Sequence, residues 1–220
     1  MARRRTRLRR VGSPPWLSRD GPIRVFHTAR LGTRPHLRPE DIRDQVIFGL
    51  NLRRIRQVDN EGAIKVAEAV ARAGKTKRYI VISALDVRDR EGKPEPEWYD
   101  AADRERSEKV WGGAIGPYMK AKFAADQDLV ENNGRRGLEF TIVRPGGLSE
   151  EKGTGKIEAG KVHLKRVVPR EDVARVVVEC MRNEGTKGLA FDVVGGDELS
   201  VEEAVEKVVK GRVDTFEGRY

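Results

Sequence analysis

Tyr118 and Lys122 stand four residues apart in the run IGPYMKAKFAADQDLV, residues 115–130. Apolar residues recur through that run at helical spacing, so the two side chains share one face a single turn apart. An ammonium held beside a phenol favours the phenolate and lowers the tyrosine pKa. A tyrosine tuned in that way can give or take the proton that moves when a hydride adds to, or leaves, a carbon bearing oxygen. Ser83 closes a buried-strand pattern upstream of this helix and adds a hydroxyl that could orient the same oxygen. Taken singly, each has an ordinary reading: Ser83 as a strand-end cap, Tyr118 as a half-buried aromatic, Lys122 as a solvated helix residue. With four tyrosines in 220 residues, one such spacing is unsurprising, so the surrounding elements must carry the weight.

Those elements alternate. Gln45 to Gly49 (QVIFG) is a short apolar run closed by glycine and suits a buried strand. Asp59 to Gly74 predicts a helix with Ile64, Ala67 and Val70 on one face, Asp59 as N-cap and Gly74 as stop. Arg78 to Ser83 (RYIVIS) predicts a second buried strand. The polar, proline-containing stretch 86–113 comes next, then the Tyr118 helix, closed by Asn133-Gly134. Leu138 to Val143 predicts a third strand, which runs into Arg144-Pro145-Gly146-Gly147. Arg170 to Met181 predicts a helix, Leu189 to Val194 a last strand, and Ser200 with Glu203 a capping box opening the final helix. Such alternation implies an α/β chain with a parallel sheet covered on both faces. Ligands of such sheets bind at the carboxyl ends of the strands, where Gly49, Ser83 and the 144–147 turn all fall.

Charge divides the chain. Residues 1–56 hold fifteen arginines, no lysine and four acids, a net of +11, while the remaining 164 residues carry a net of −2. The overall +9 is therefore a property of the head, and it supplies no aromatic-interleaved platform of the kind that binds nucleic acid. Residues 1–44 read as a basic, proline-rich head that cannot bury enough surface to offset its ordering entropy, disordered or not evolved domain sequence at all; 45–220 read as the domain. The head leaves a mitochondrial or nuclear address open beside a cytoplasmic one. No apolar run approaches the ~20 residues of a membrane span. Cys180, the only cysteine, reads as a small core residue, and no cluster suggests a metal site.

The strings KRYIVISALDVRDR, GPYMKAK, TIVRPGGLSEEKGTGKIEAGKV, PREDVARVVV and FDVVGGDELSVEEAV, in this order over about 45–215, resemble the atypical short-chain dehydrogenase/reductases, in particular the fungal members of their NAD(P)H-binding, NmrA-like branch. The resemblance implies a Rossmann-like doubly wound parallel sheet. It also implies catalytic roles for Ser83 (orienting the substrate oxygen), Tyr118 (proton transfer) and Lys122 (tuning the tyrosine and holding the nicotinamide ribose). Cofactor contacts would come from Gly49, Asp59 and the loop Arg144, Pro145, Gly146 and Gly147. The function implied is NAD(P)-dependent oxidoreduction or epimerase-like chemistry on a small carbonyl or alcohol; the alternative is a non-catalytic dinucleotide sensor that acts through a partner protein. One departure stands out: no glycine-rich G-x-x-G-x-x-G turn occurs in the sequence. The first βαβ elements of the fold are therefore expected to be lacking, and NADP or NAD to bind weakly or not at all.

Overall fold

Arg78–Ile82 shows how this sequence makes a central strand. Its alternate residues face opposite sides of a sheet, and both sets are apolar: Tyr79 and Val81 pack with one layer of helices, Ile80 and Ile82 with the other. The computed structural model describes residues 52–216 and the strand Arg24–Phe26. That strand, β1 (Arg24–Phe26), lies parallel beside β2 (Arg78–Ile82), with Val25 opposite Ile80. The expected strand Gln45 to Gly49, including Gly49, lies outside the described residues.

Between β1 and β2 come α1 (Leu52–Ile55), a π-helical segment (Arg56–Gly62) and α2 (Ala63–Ala73), which ends at left-handed Gly74 with φ 62°. Asp59 is therefore not an N-cap. The helix begins upstream of it, and the wider π turn carries its side chain into the interior, where it is 7 % exposed. The stretch 86–113, polar enough to read as a loop, contains α3 (Ala101–Gly112), opened by a capping box between Asp100 and Asp103. The site helix is α4 (Gly116–Glu131), with proline in its first turn; a further turn, α5 (Asn133–Arg136), prolongs it to left-handed Gly137. The site helix thus ends at Glu131 with Asn132 as its C-cap, beside the expected Asn133-Gly134, and the extra turn closes at Gly137.

β3 (Glu139–Pro145) then pairs in parallel with β2. Three short strands follow: β4 (Gly147–Ser149), β5 (Lys156–Gly160) and β6 (Val167–Pro169). α6 (Arg170–Arg182) buries Val173, Val176, Val177 and Cys180 on one stripe. β7 (Leu189–Ser200) is twice the expected length, because antiparallel β5 pairs with it between Asp192 and Ser200. α7 (Val201–Gly211) closes the described chain with the expected Ser200–Glu203 capping box.

The main sheet runs β1-β2-β3-β7-β5, parallel except for β5, and β4 and β6 form a separate parallel pair. On one face α2 and α4 pack through Ala67, Val70, Met119 and Leu129 onto Tyr79, Val81 and Ile142. On the other, α6 and α7 pack through Val176, Val177, Val205 and Val208 onto Ile80, Val143, Phe191 and Val193. Full burial of each such aliphatic side chain stabilises by roughly 1.5–3 kcal/mol, which fixes the sheet and with it the carboxyl ends of β2 and β3.

Candidate active site

β2 and β3 end together. Ser83 N–H donates to Val143 O at 2.8 Å and Leu85 N–H to Pro145 O at 2.9 Å, so the two strand ends continue as one paired edge. Gly146 crosses that edge so closely that a Cβ there would meet Arg166 O at 3.0 Å, Val194 Cγ1 at 3.2 Å and Leu85 Cδ2 at 3.4 Å. Its N–H donates to Val193 O. A side chain there would push these neighbours back by a few tenths of an ångström, so glycine suits the close approach of the turn after β3 to the turn after β2.

α4 crosses beneath this edge. Its buried residues include Met119, Lys122, Asp126 and Leu129, the 3-4-3 spacing of one helical face. Lys122, 2 % exposed, donates from Nζ to Ile82 O at 2.8 Å, and it lies 6.0 Å from the centre of the Tyr118 ring. The Ser83 hydroxyl donates to Asp126 Oδ2. Tyr118, one turn before Lys122, is half-buried. Asp59 reaches the same place from the π-helical segment, and its buried Oδ1 has no hydrogen-bond partner among the described residues. The structure thus brings Ser83, Tyr118 and Lys122 together, as the sequence reading groups them, and adds Asp59 and Asp126.

The electrostatics differ from expectation. Tyr118 is held well above the ordinary tyrosine range, first by burial and then by the Asp59 and Asp126 carboxylates. The expected lowering by Lys122 does not occur, because the ammonium points to the Ile82 carbonyl and is flanked by two acids. Burial pushes Lys122 down, against the pull of Asp126 and Asp59. It pushes Asp126 up, opposed by Lys122, the Ser83 hydrogen bond and Arg144. Asp59 is raised by burial and opposed by Lys122. The cluster therefore leans toward neutral forms, and in this state Tyr118 keeps its proton, which makes it a weaker proton donor than an ordinary tyrosine.

Arg144 also departs from expectation. Its guanidinium does not face the cleft but is 2 % exposed, donating to Val87 O at 2.6 Å and Thr215 Oγ1 at 3.3 Å, over the Phe216 ring. Nε lies 3.1 Å from Asp192 Oδ1, an ion pair without hydrogen-bond geometry, since that N–H is directed at Ala84 O. Arg144 ties the turn after β2 to the chain end, and any contact of the 144–147 loop with a ligand falls to backbone and to Gly146 and Gly147. Pro145 is buried as the last residue of β3.

Sequence reasoning missed two polar centres. Asp126 had a signal: an acid one turn beyond Lys122 on a face otherwise set by Met119 and Leu129 must be buried, and a buried acid must be paired. Asp86, at φ 64° and 3 % exposed, accepts from Arg88 Nε, Tyr99 OH, Ser107 Oγ and Trp111 Nε1. It organises the 86–113 stretch, and nothing local marks it, because its donors lie up to 25 residues away.

A family model described as NAD(P)H-binding matches residues 41–184. UPF0659 protein C216.03 of Schizosaccharomyces pombe is 41% identical over 158 residues, 72% of this chain and 62% of its own length. The uncharacterized sugar epimerase YhfK of Bacillus subtilis is 37% identical over 151 residues, 69% of this chain and 59% of its own length. The chain thus spans about three-fifths of the length of these curated relatives. Among solved structures, the oxidoreductase ylbE from Lactococcus lactis superposes with a TM-score of 0.56 at 27% identity, covering 74% of this chain and 64% of that one. The parallel sheet, the strand-end cluster and a family match over well over half of the sequence agree: the chain belongs to the NAD(P)H-binding family, within the oxidoreductase- and epimerase-like Rossmann-fold proteins.

Proposed function

We propose that this chain is an NAD(P)-dependent oxidoreductase or epimerase-like enzyme acting on a small carbonyl, alcohol or sugar-like substrate. The observation that carries the reading is the meeting of Ser83, Tyr118 and Lys122 at the paired ends of β2 and β3, beside the Gly146–Gly147 turn. A nicotinamide dinucleotide, when bound, would supply or accept the hydride. The residues present fit its nicotinamide end: a half-buried phenol, a buried ammonium and a hydroxyl, beside a closely packed glycine turn. In the reductive direction Tyr118 gives its proton to the substrate oxygen, with Lys122, 6.0 Å from its ring, as a cation beside the phenolate left behind; the raised tyrosine pKa opposes that transfer. The sugar epimerase name of the Bacillus subtilis relative supports a hydroxylated carbonyl as substrate.

The diphosphate end has weaker support. Because the sequence has no glycine-rich turn, NADPH and NADH are expected to bind this 220-residue chain well above micromolar Kd. Calorimetry tests the affinity, and NADPH consumption with a carbonyl panel tests the chemistry; turnover that survives Tyr118→Phe would remove the catalytic assignment. One observation favours a second reading, a non-catalytic dinucleotide sensor: Lys122 is already engaged with Ile82 O and two acids. Micromolar or tighter NADPH binding without turnover on any carbonyl would put that reading first.

A further inference from the structure

Asp126 lies one turn beyond Lys122 on α4 and is 2 % exposed. Its Oδ2 takes the hydrogen bond of the Ser83 hydroxyl, and the chemistry proposed above gives it no part. A serine hydroxyl has one proton and two lone pairs, whereas an ionised carboxylate only accepts. While Asp126 is ionised, the Ser83 proton is therefore held inward, and Ser83 offers the cleft lone pairs alone. Once Asp126 carries a proton it donates to Ser83 Oγ, and the Ser83 proton is released toward the cleft. A carbonyl oxygen only accepts, so Ser83 can orient a carbonyl in the second arrangement and not in the first.

We propose that Asp126 is a positioning residue that sets the polarity of the Ser83 hydroxyl: protonated, it makes Ser83 a donor to a carbonyl substrate; ionised, it makes Ser83 an acceptor. The proposal rests on the reading of Ser83, Tyr118 and Lys122 as the reaction centre. Only O–H protons shift in the switch; the proton on Asp126 comes from solvent as pH falls and returns to it as pH rises. The groups that face the carboxylate are Lys122, Ser83, Arg144, Tyr79 and Tyr118. Burial raises the carboxyl above the ordinary aspartate value, while Lys122, the Ser83 hydrogen bond and Arg144 pull it down.

Two measurements on the full chain test this. The first is a ¹³C NMR titration of the aspartate carboxyl carbons in wild type and Ser83→Ala. Loss of a hydrogen bond that favours the ionised form should raise one buried aspartate's midpoint by roughly one to two pH units, and that resonance should be absent in Asp126→Asn. If Ser83→Ala moves no aspartate midpoint, the proposal is overturned, whether or not Asp126→Asn folds. The second is NADPH-dependent reduction of two probes, an ortho-quinone and an aromatic aldehyde. The wild-type rate should fall by about tenfold per pH unit above the Asp126 midpoint. Asp126→Asn, whose amide can donate to Ser83 Oγ, should keep turnover and lose that limb, while Asp126→Ala should lower kcat with little change in KM. A limb that persists in Asp126→Asn overturns the proposal. Reduction of neither probe by wild type counts against the enzymatic reading, and the NMR titration then decides the role of Asp126 alone.

Discussion

Tyr118 and Lys122 form a pair whose chemistry depends on what else is buried with them. Spacing places an ammonium one turn from a phenol, but burial, and after it two acids, hold the phenol's proton on. Tyr118→Phe should keep the fold and reduce any turnover by ~10² to 10⁴, the usual loss with a positioned general acid; circular dichroism and NADPH consumption read the two separately. Arg144 gives a sharper test of stability. Burial raises Asp192 to about 7, against the pull of Arg144. Because its folded-state pKa is raised above the unfolded value, Asp192 contributes stability that is fully present below that unfolded value and is lost as pH rises through about 7. Arg144→Met removes the compensating cation, so its cost should be smaller near pH 5 and greater by about 1.4 kcal/mol near pH 8, one unit above the wild-type value. Urea unfolding at the two pH values checks this; an equal deficit at both would show that packing and not charge governs the site.

At the scale of elements, α4 is unusual in burying Lys122 and Asp126 on the stripe that Met119 and Leu129 place in the core. α3 is clasped from outside: Asp103 accepts from Leu164 N–H and pairs with His163 Nδ1 at 2.5 Å, which docks the loop between β5 and β6 onto the helix start. The Asp103 hydrogen bond raises His163, while Asp103 is lowered overall: burial pulls it up, but the His163 and backbone hydrogen bonds outweigh that. The His163 contribution is therefore present below the ordinary histidine value and lost as pH rises through the raised one. The Asp103 contribution is present above the ordinary carboxylate value and lost as pH falls through the lowered one. His163 is half exposed, so solvent screening keeps the effect small. The melting temperature of His163→Asn should fall below that of wild type at mildly acidic pH and converge with it in alkali. The capping box of α7 is simpler: Ser200→Ala leaves the Glu203 N–H without its acceptor and should cost about 1 kcal/mol in urea unfolding.

Across the whole molecule, the core has two faces and one of them leaves a gap. Beside β2 and β4, α6 lines an open groove of about 390 Å³, with Ile82, Leu148, Val173, Val177, Val178 and Met181 along it and Arg170 among its lining residues. Val178 is 40 % exposed there. Val178→Lys should change unfolding free energy by no more than about 0.5 kcal/mol and reduce self-association in light scattering, because exposed apolar surface drives association. The sequence by itself determined the alternation of strands and helices, the capping box at Ser200, the stop at Gly74 and the co-location of Ser83, Tyr118 and Lys122. Each of these follows from local periodicity, a short-range hydrogen bond or the order of strands in a parallel sheet. Only the tertiary structure decided the rest. Asp59 lies inside a π turn, Arg144 turns inward to Val87, Thr215 and Asp192, and Asp86 gathers donors from 86–113. β7 continues as far as Ser200 because β5 folds back on it. The direction of the Tyr118 shift belongs with these, since a buried group's charge state depends on neighbours brought close in space by segments far apart in the chain, and no spacing along the chain records that distance.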